Sequence, residues 1–313
     1  IGNFETRPDY QAEEIKGVDI ARFSPTKLKI FEGEPFALKG DVSIDGLEQQ
    51  DADITFSCLL YENDEDHEPV EGVISISGYP SDITTLTVPK GQKKRAQVYC
   101  NFDSIKEIYG QSSSGYKVYL VWEYKNFVTK TRLRIYTQQK FVQDALISQG
   151  QDPLKNLRGG SDVGNDGYAK AQCVQGCGLV DLGMNVFSEL PLPETGNHHF
   201  SFRLQDVPTR SGNLLRLHSM IIQLPSQQLE FEDEECLITN ENQLVDINRL
   251  LEQEEKKPSI INEHDCAFTL TQAGAQQIPQ ALTLLGSVAY DYGAKKLEIV
   301  RIWKKEQPQA PEA

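Results

Sequence analysis

The chain has 313 residues, 39 % hydrophobic and 25 % charged, with a formal net charge of -15. That length exceeds the roughly 100 to 200 residues of one ordinary domain, so two domains are expected, each burying its own core. The negative charge argues against nucleic acid as a partner, because affinity there comes from Lys and Arg neutralising phosphates. No run approaches the ~18 apolar residues needed to cross a bilayer, so no transmembrane segment is expected.

The chain begins at Ile1 without a basic-then-apolar leader, which reads as a processed N-terminus. It holds no Asn-x-Ser/Thr sequon, pointing away from a eukaryotic secretory source. Residues 1–24 are polar, broken by Pro8 and without alternation, so they are expected to be an N-terminal extension that lies on the surface or reaches a neighbouring subunit. From Lys27 onward short alternating runs dominate. Ile54, Phe56, Cys58 and Leu60 share one face of a predicted strand, and Ala96, Val98, Cys100 and Phe102 repeat the pattern. Further strands are expected at 73–76, 85–88 and 116–122, each bounded by Gly, Pro, Asn or Ser.

After Tyr136 the period changes. Phe141, Val142, Ala145 and Leu146 recur at helical spacing, and Gly150 and Pro153 end a short predicted helix. The Gly-rich polar stretch 158–167 reads as a linker or surface loop. The predicted organisation is an extension over 1–24, a module over 25–137, a linker with the helix over 138–168, a second module over 169–304, and a tail over 305–313.

The two halves carry a weak repeat. Cys58 and Cys236 open matching segments, and Cys100-Asn101-Phe102 matches Cys266-Ala267-Phe268. Tyr124 and Tyr290 each lie 24 residues past their cysteine (124 minus 100, 290 minus 266), and each half is expected to close on a hairpin returning through 132–136 or 297–303. The gaps between paired cysteines differ, 42 residues against 30 (100 minus 58, 266 minus 236). Matching positions favour the bridges Cys58 with Cys100 and Cys236 with Cys266, leaving Cys173 with Cys177 in a small loop. Free buried thiols are the alternative. Disulfides imply export from the cytosol.

This arrangement of cysteines ahead of a terminal hairpin resembles immunoglobulin-like modules, and the style is similar to tandem β modules of exported, archaeal-type surface proteins. The resemblance implies an all-β protein of two Ig-like β-sandwich domains with a short helix in the linker. It covers residues 25–137 and 170–304. Trp122 and Trp303 both follow the second cysteine of their half, whereas antibody-type domains place a Trp between the two.

No catalytic constellation stands out. The Cys173–Cys177 spacing lacks the second ligand pair of a zinc site and is not the Cys-x-x-Cys of a redox motif. His198 and His199 point to opposite faces if their segment is extended, leaving His67, His218 and His264 as scattered histidines. No Gly-x-Ser-x-Gly elbow is present. The acidic runs 62–68 and 230–235 read as solvated turns. The loop holding Asp162 and Asp166 fails the EF-hand pattern, because Cys173 stands where the bidentate Glu belongs, and a Ca2+ ion there is the sharper minority reading. Tyr116, Tyr119 and Trp122 would have to be exposed to form a glycan platform. The expectation is a non-enzymatic extracellular protein with no cofactor and a structural or adhesive role, a subunit of a cell-surface assembly meeting protein partners or itself. A glycan-binding module is the alternative, and a hydrolase with an unrecognised site the third.

Overall fold

The computed structural model describes residues 17–45, 51–61, 68–104, 113–155, 157–177, 179–206, 212–225, 229–231, 238–240, 243–244, 260–270 and 280–304. Their elements in chain order are β1 (Val18–Pro25), β2 (Ile30–Phe31), β3 (Phe36–Asp45), β4 (Ala52–Tyr61), β5 (Val70–Ile76), β6 (Thr85–Val88), β7 (Lys93–Phe102) and β8 (Ser113–Thr137). The helix α1 (Lys140–Ser148) follows, then β9 (Ala171–Gln175), β10 (Val180–Val186), β11 (His198–Asp206), β12 (Asn213–Gln223) and β13 (Leu229–Phe231). The last are β14 (Ile238–Asn240), β15 (Gln243–Leu244), β16 (Ile260–Leu270) and β17 (Gln280–Trp303). Among the described residues the fold is all-β with one short helix, and its sheets make β-sandwich layers.

Two compact units interleave in sequence. The first takes the described residues of 15–125, 211–213 and 292–313, and the second those of 126–210 and 214–291.

In the first unit one layer runs β1-β3-β7-β5 and the other holds β4 between β8 and β6. The two layers are joined by β5. Val70 to Gly72 pair with β4, whereas Val73 to Ile76 pair with β7. Two strands separated by a third in a flat sheet lie roughly 9 to 10 Å apart. Cys58 on β4 and Cys100 on β7 have Cα atoms 5.7 Å apart and are joined by a disulfide, so the layers fold together where β5 crosses. Gly72 permits the crossing, because a Cβ there would lie 2.7 Å from the Phe102 ring, which itself stacks on Phe36 at 5.1 Å. Strict alternation along β4 puts Ile54, Phe56, Cys58 and Leu60 into the core.

β1 corrects the extension expected over 1–24. Val18, Ile20 and Phe23 are buried, and the strand pairs with β3 from Val18↔Ile44 to Pro25↔Leu38. A bulge between Ile20 and Arg22 shifts its inward face by one residue, which erased the alternation from the sequence pattern. Residues 1–16 lie outside the described residues.

The terminal hairpins are likewise replaced. β8 is a single strand of 25 residues and β17 a single strand of 24. The turn expected in β8 between Tyr124 and Arg132 is absent, although Asn126 takes a positive φ of 52°. The strand continues past it because Phe127, Thr129, Thr131, Leu133 and Ile135 keep alternating into the core. The first part of β8 pairs with β4 in the first unit, and its last part pairs with β9 in the second. β17 ends in the first unit, where Ile302 lies opposite Ile30 of β2.

The second unit sets the sheet β10-β11-β16-β13 against the layer containing β9, β8, β17 and β12. Phe200, Phe202, Phe268 and Tyr290 are fully buried there. A Cβ on Gly286 of β17 would lie 2.6 Å from Leu182 Cδ2 and 3.1 Å from Met184 Sδ, so glycine lets β10 seat closely on that layer. α1 stands where helical spacing placed it, but it buries no residue. The Gly-rich stretch after it belongs to this unit, with Val163 buried within it and Leu154 buried just before it.

Candidate functional site

The cysteines come first. Cys58–Cys100 closes the first unit, and Cys173–Cys177 closes a four-residue step at the end of β9. Cys266 is also disulfide-bonded, and Cys236, the partner expected for it, lies outside the described residues. The small loop turns on Gly176, whose φ of 65° suits glycine and whose absent Cβ would strike Val128 O. Gly176 O accepts the Thr129 hydroxyl at 2.7 Å, and Thr129 Oγ1 lies 2.8 Å from Tyr290 OH, so the loop is fastened to the core.

The oxygen-rich loop is gripped by arginines. Arg132 and Arg134, alternate residues of β8, reach Asp162 at 3.4 and 3.1 Å. Arg132 also donates to Gln172 Oε1 at 2.6 Å, and Gln172 bonds Ser161 O. Lys170 N–H donates to Asp162 O at 2.8 Å. Two guanidiniums already compensate the Asp162 carboxylate, which disfavours a divalent cation at that side chain. Asp166 Oδ1 accepts the Tyr168 N–H at 3.1 Å. Tyr136, the next outward residue of β8, has its hydroxyl pKa pushed up, first by burial and then by the Asp162 charge. A second clasp holds the same loop, with Arg158 donating to Asp152 at 2.6 Å and to Glu189 at 3.0 Å. Sequence spacing missed both clasps, although Arg132, Arg134 and Tyr136 form a polar row at period two that marked the face.

The aromatic platform is also corrected. Tyr116, Tyr119 and Trp122 are 3 %, 7 % and 3 % exposed, so no sugar can stack on them. Trp122 meets Tyr124 edge to face at 5.6 Å, and Lys295 Nζ caps the Tyr119 ring at 4.3 Å.

The histidines are separate. His198 is buried while His199 faces outward on β11. His198 Nε2 donates to Pro193 O at 3.0 Å, Nδ1 lies 3.5 Å from Ser188 Oγ, and the ring packs on Phe268 at 5.4 Å. Burial drives its pKa down, the Pro193 carbonyl opposing. His218 Nε2 sits 2.8 Å from Asp291 Oδ1, which also accepts the Asn126 N–H. His264 lies on β16 opposite Phe202. His67 and most of the acidic runs 62–68 and 230–235 lie outside the described residues. Two carboxyls on neighbouring strands, Asp181 and Asp206, are pushed up by burial; Arg203 near the first and the Leu214 N–H at the second oppose this.

No family model matches the chain, and no curated protein matches it. Among solved structures, the PapD-like domain 7 of human CEP192 is 13 % identical, with a TM-score of 0.20, covering 34 % of this chain and 70 % of that one. An anti-sigma factor domain-containing protein from Clostridium clariflavum is 11 % identical at a TM-score of 0.17, covering 90 % and 85 %. MSCRAMM ACE of Enterococcus faecalis, which binds its ligands by the collagen hug model, is 10 % identical at a TM-score of 0.14, covering 92 % and 95 %. Likenesses this slight assign no family, and the β-sandwich architecture stands on the strand pairing itself.

Proposed function

We propose that this chain is a non-enzymatic, extracellular structural or adhesive protein, a subunit of a cell-surface assembly working through protein partners or self-association. The observation that carries the reading is the pair of disulfides, Cys58–Cys100 between sandwich layers and Cys173–Cys177 on β9. Such bonds persist outside the cytosol and stiffen small β units. The acidic, mixed surface supports solubility and does not favour nucleic acid.

The glycan-binding alternative loses its motivating residues to the core. A hydrolase draws little support from His198, which is buried at 4 % exposure with Nε2 held by Pro193 O. The test is surface accessibility in the producing organism. Intact cells treated with a membrane-impermeant amine label or with protease should modify the protein without lysis. Labelling only after lysis contradicts the reading.

A further inference from the structure

Several sheet edges among the described strands are blunted in different ways. β1 carries its bulge and ends in Pro25. β6 has four residues, β13 and β14 have three each, and β9 is tied down by Cys173–Cys177. β10 ends its sheet with seven residues in unbroken register against β11, from Val180↔Asp206 to Val186↔Phe200. Its sequence, Val-Asp-Leu-Gly-Met-Asn-Val, holds no proline, no lysine and no bulge. Natural sheets seldom leave such an edge bare, because its open N–H and C=O groups template another strand.

The hydrogen-bond phase of β10 is fixed. Phe187 N–H donates to His199 O at 3.1 Å, continuing the same register. Antiparallel bonding alternates, so Asp181, Gly183 and Asn185 bond to β11, and the backbone groups of Val180, Leu182, Met184 and Val186 point to the open edge.

We propose that β10 pairs antiparallel with β10 of a second copy of this chain, about a two-fold axis at Gly183; the inference rests on the assembly reading above and names a contact for it. Centred there, Leu182 faces Met184 and Val180 faces Val186 as hydrogen-bonded pairs, which uses every edge-pointing group of the strand. Asp181 faces Asn185, so no like charges meet, and Gly183 faces its own counterpart. Centring on Asp181 instead sets carboxylate against carboxylate, and any other centre leaves part of the strand unpaired. Close non-hydrogen-bonded positions favour small residues at the axis. Gly183 supplies one, and the Arg203 side chain already lies over it, 2.9 Å from where a Cβ would stand. Arg203 also answers Asp181, NH2 to Oδ2 4.0 Å. An isologous contact of this kind closes at two chains.

The net charge of -15 makes two copies repel at long range, so added salt should tighten the pair. Sedimentation equilibrium of the full chain tests the inference on the wild type, Asn185→Asp and Asn185→Lys, with thermal melts confirming that each variant folds. Wild type should show a monomer–dimer equilibrium. Asn185→Asp sets carboxylates opposite each other twice and should weaken it about two- to thirtyfold, whereas Asn185→Lys should keep or tighten it. A dimer equally affected, or unaffected, by both changes overturns the inference, as does a wild type monomeric at every concentration. Neither result touches surface accessibility on intact cells, so failure of this contact is distinguishable from failure of the surface role.

Discussion

Gly176 is the residue where a single methyl group would matter most. Its left-handed backbone and the Val128 carbonyl both exclude a side chain, and the Cys173–Cys177 loop hangs on that turn. Gly176→Ala should lower the second unit's stability by about 2 kcal/mol or more, read as a shifted urea midpoint. An unchanged midpoint would show that the turn is elsewhere. His198 sets a pH response. Its folded pKa lies below its unfolded value, so the unfolded chain binds the extra proton between the two, and stability falls as pH drops below about 6.5 toward the lowered folded pKa. Asp181 and Asp206 act oppositely, because their raised pKa values favour the folded, protonated form. His198→Gln should flatten the fall in melting temperature that sets in below about pH 6.5; a slope equal to wild type removes His198 as its source. Asp162→Asn gives a third residue-level test. Removing the carboxylate charge should lower the Tyr136 pKa, as followed by tyrosine-selective NMR titration.

Elements were legible where alternation is strict. β4 shows its inward face in Ile54, Phe56, Cys58 and Leu60, and α1 shows its 3.6 period in Phe141, Val142, Ala145 and Leu146. β1 was hidden by its bulge, and the joins in β8 and β17 by polar residues that interrupt the pattern while the strand runs on. The crossover in β5 has no signature beyond Gly72, because which strand a residue pairs with is decided by packing against Phe102 and not by local preference. The arginine clasps on Asp162 were illegible for the same reason, since loop and strand are 30 and 28 residues apart. Deleting residues 18–25 should now cost the first unit its transition, since Val18, Ile20 and Phe23 would leave the core. A truncated chain that melts as the full one does would return that segment to the surface. Cys58→Ala removes a bridge closing 42 residues and should cost roughly 3 to 4 kcal/mol in denaturant, less any native strain.

At the scale of the whole molecule, the chain passes from the first unit to the second within β8 and back within β17. Neither unit is therefore a continuous stretch, and cutting the chain near residue 137 separates β2 from its partner at Ile302. Each unit carries a disulfide, Cys58–Cys100 in the first and Cys173–Cys177 in the second, and such bonds are compatible with an oxidising compartment. The most direct measurement is thiol titration and peptide mapping of unreduced protein taken from its natural source. The account predicts no reactive thiols and peptides joined as Cys58–Cys100 and Cys173–Cys177; free thiols at those four positions in native material would contradict it.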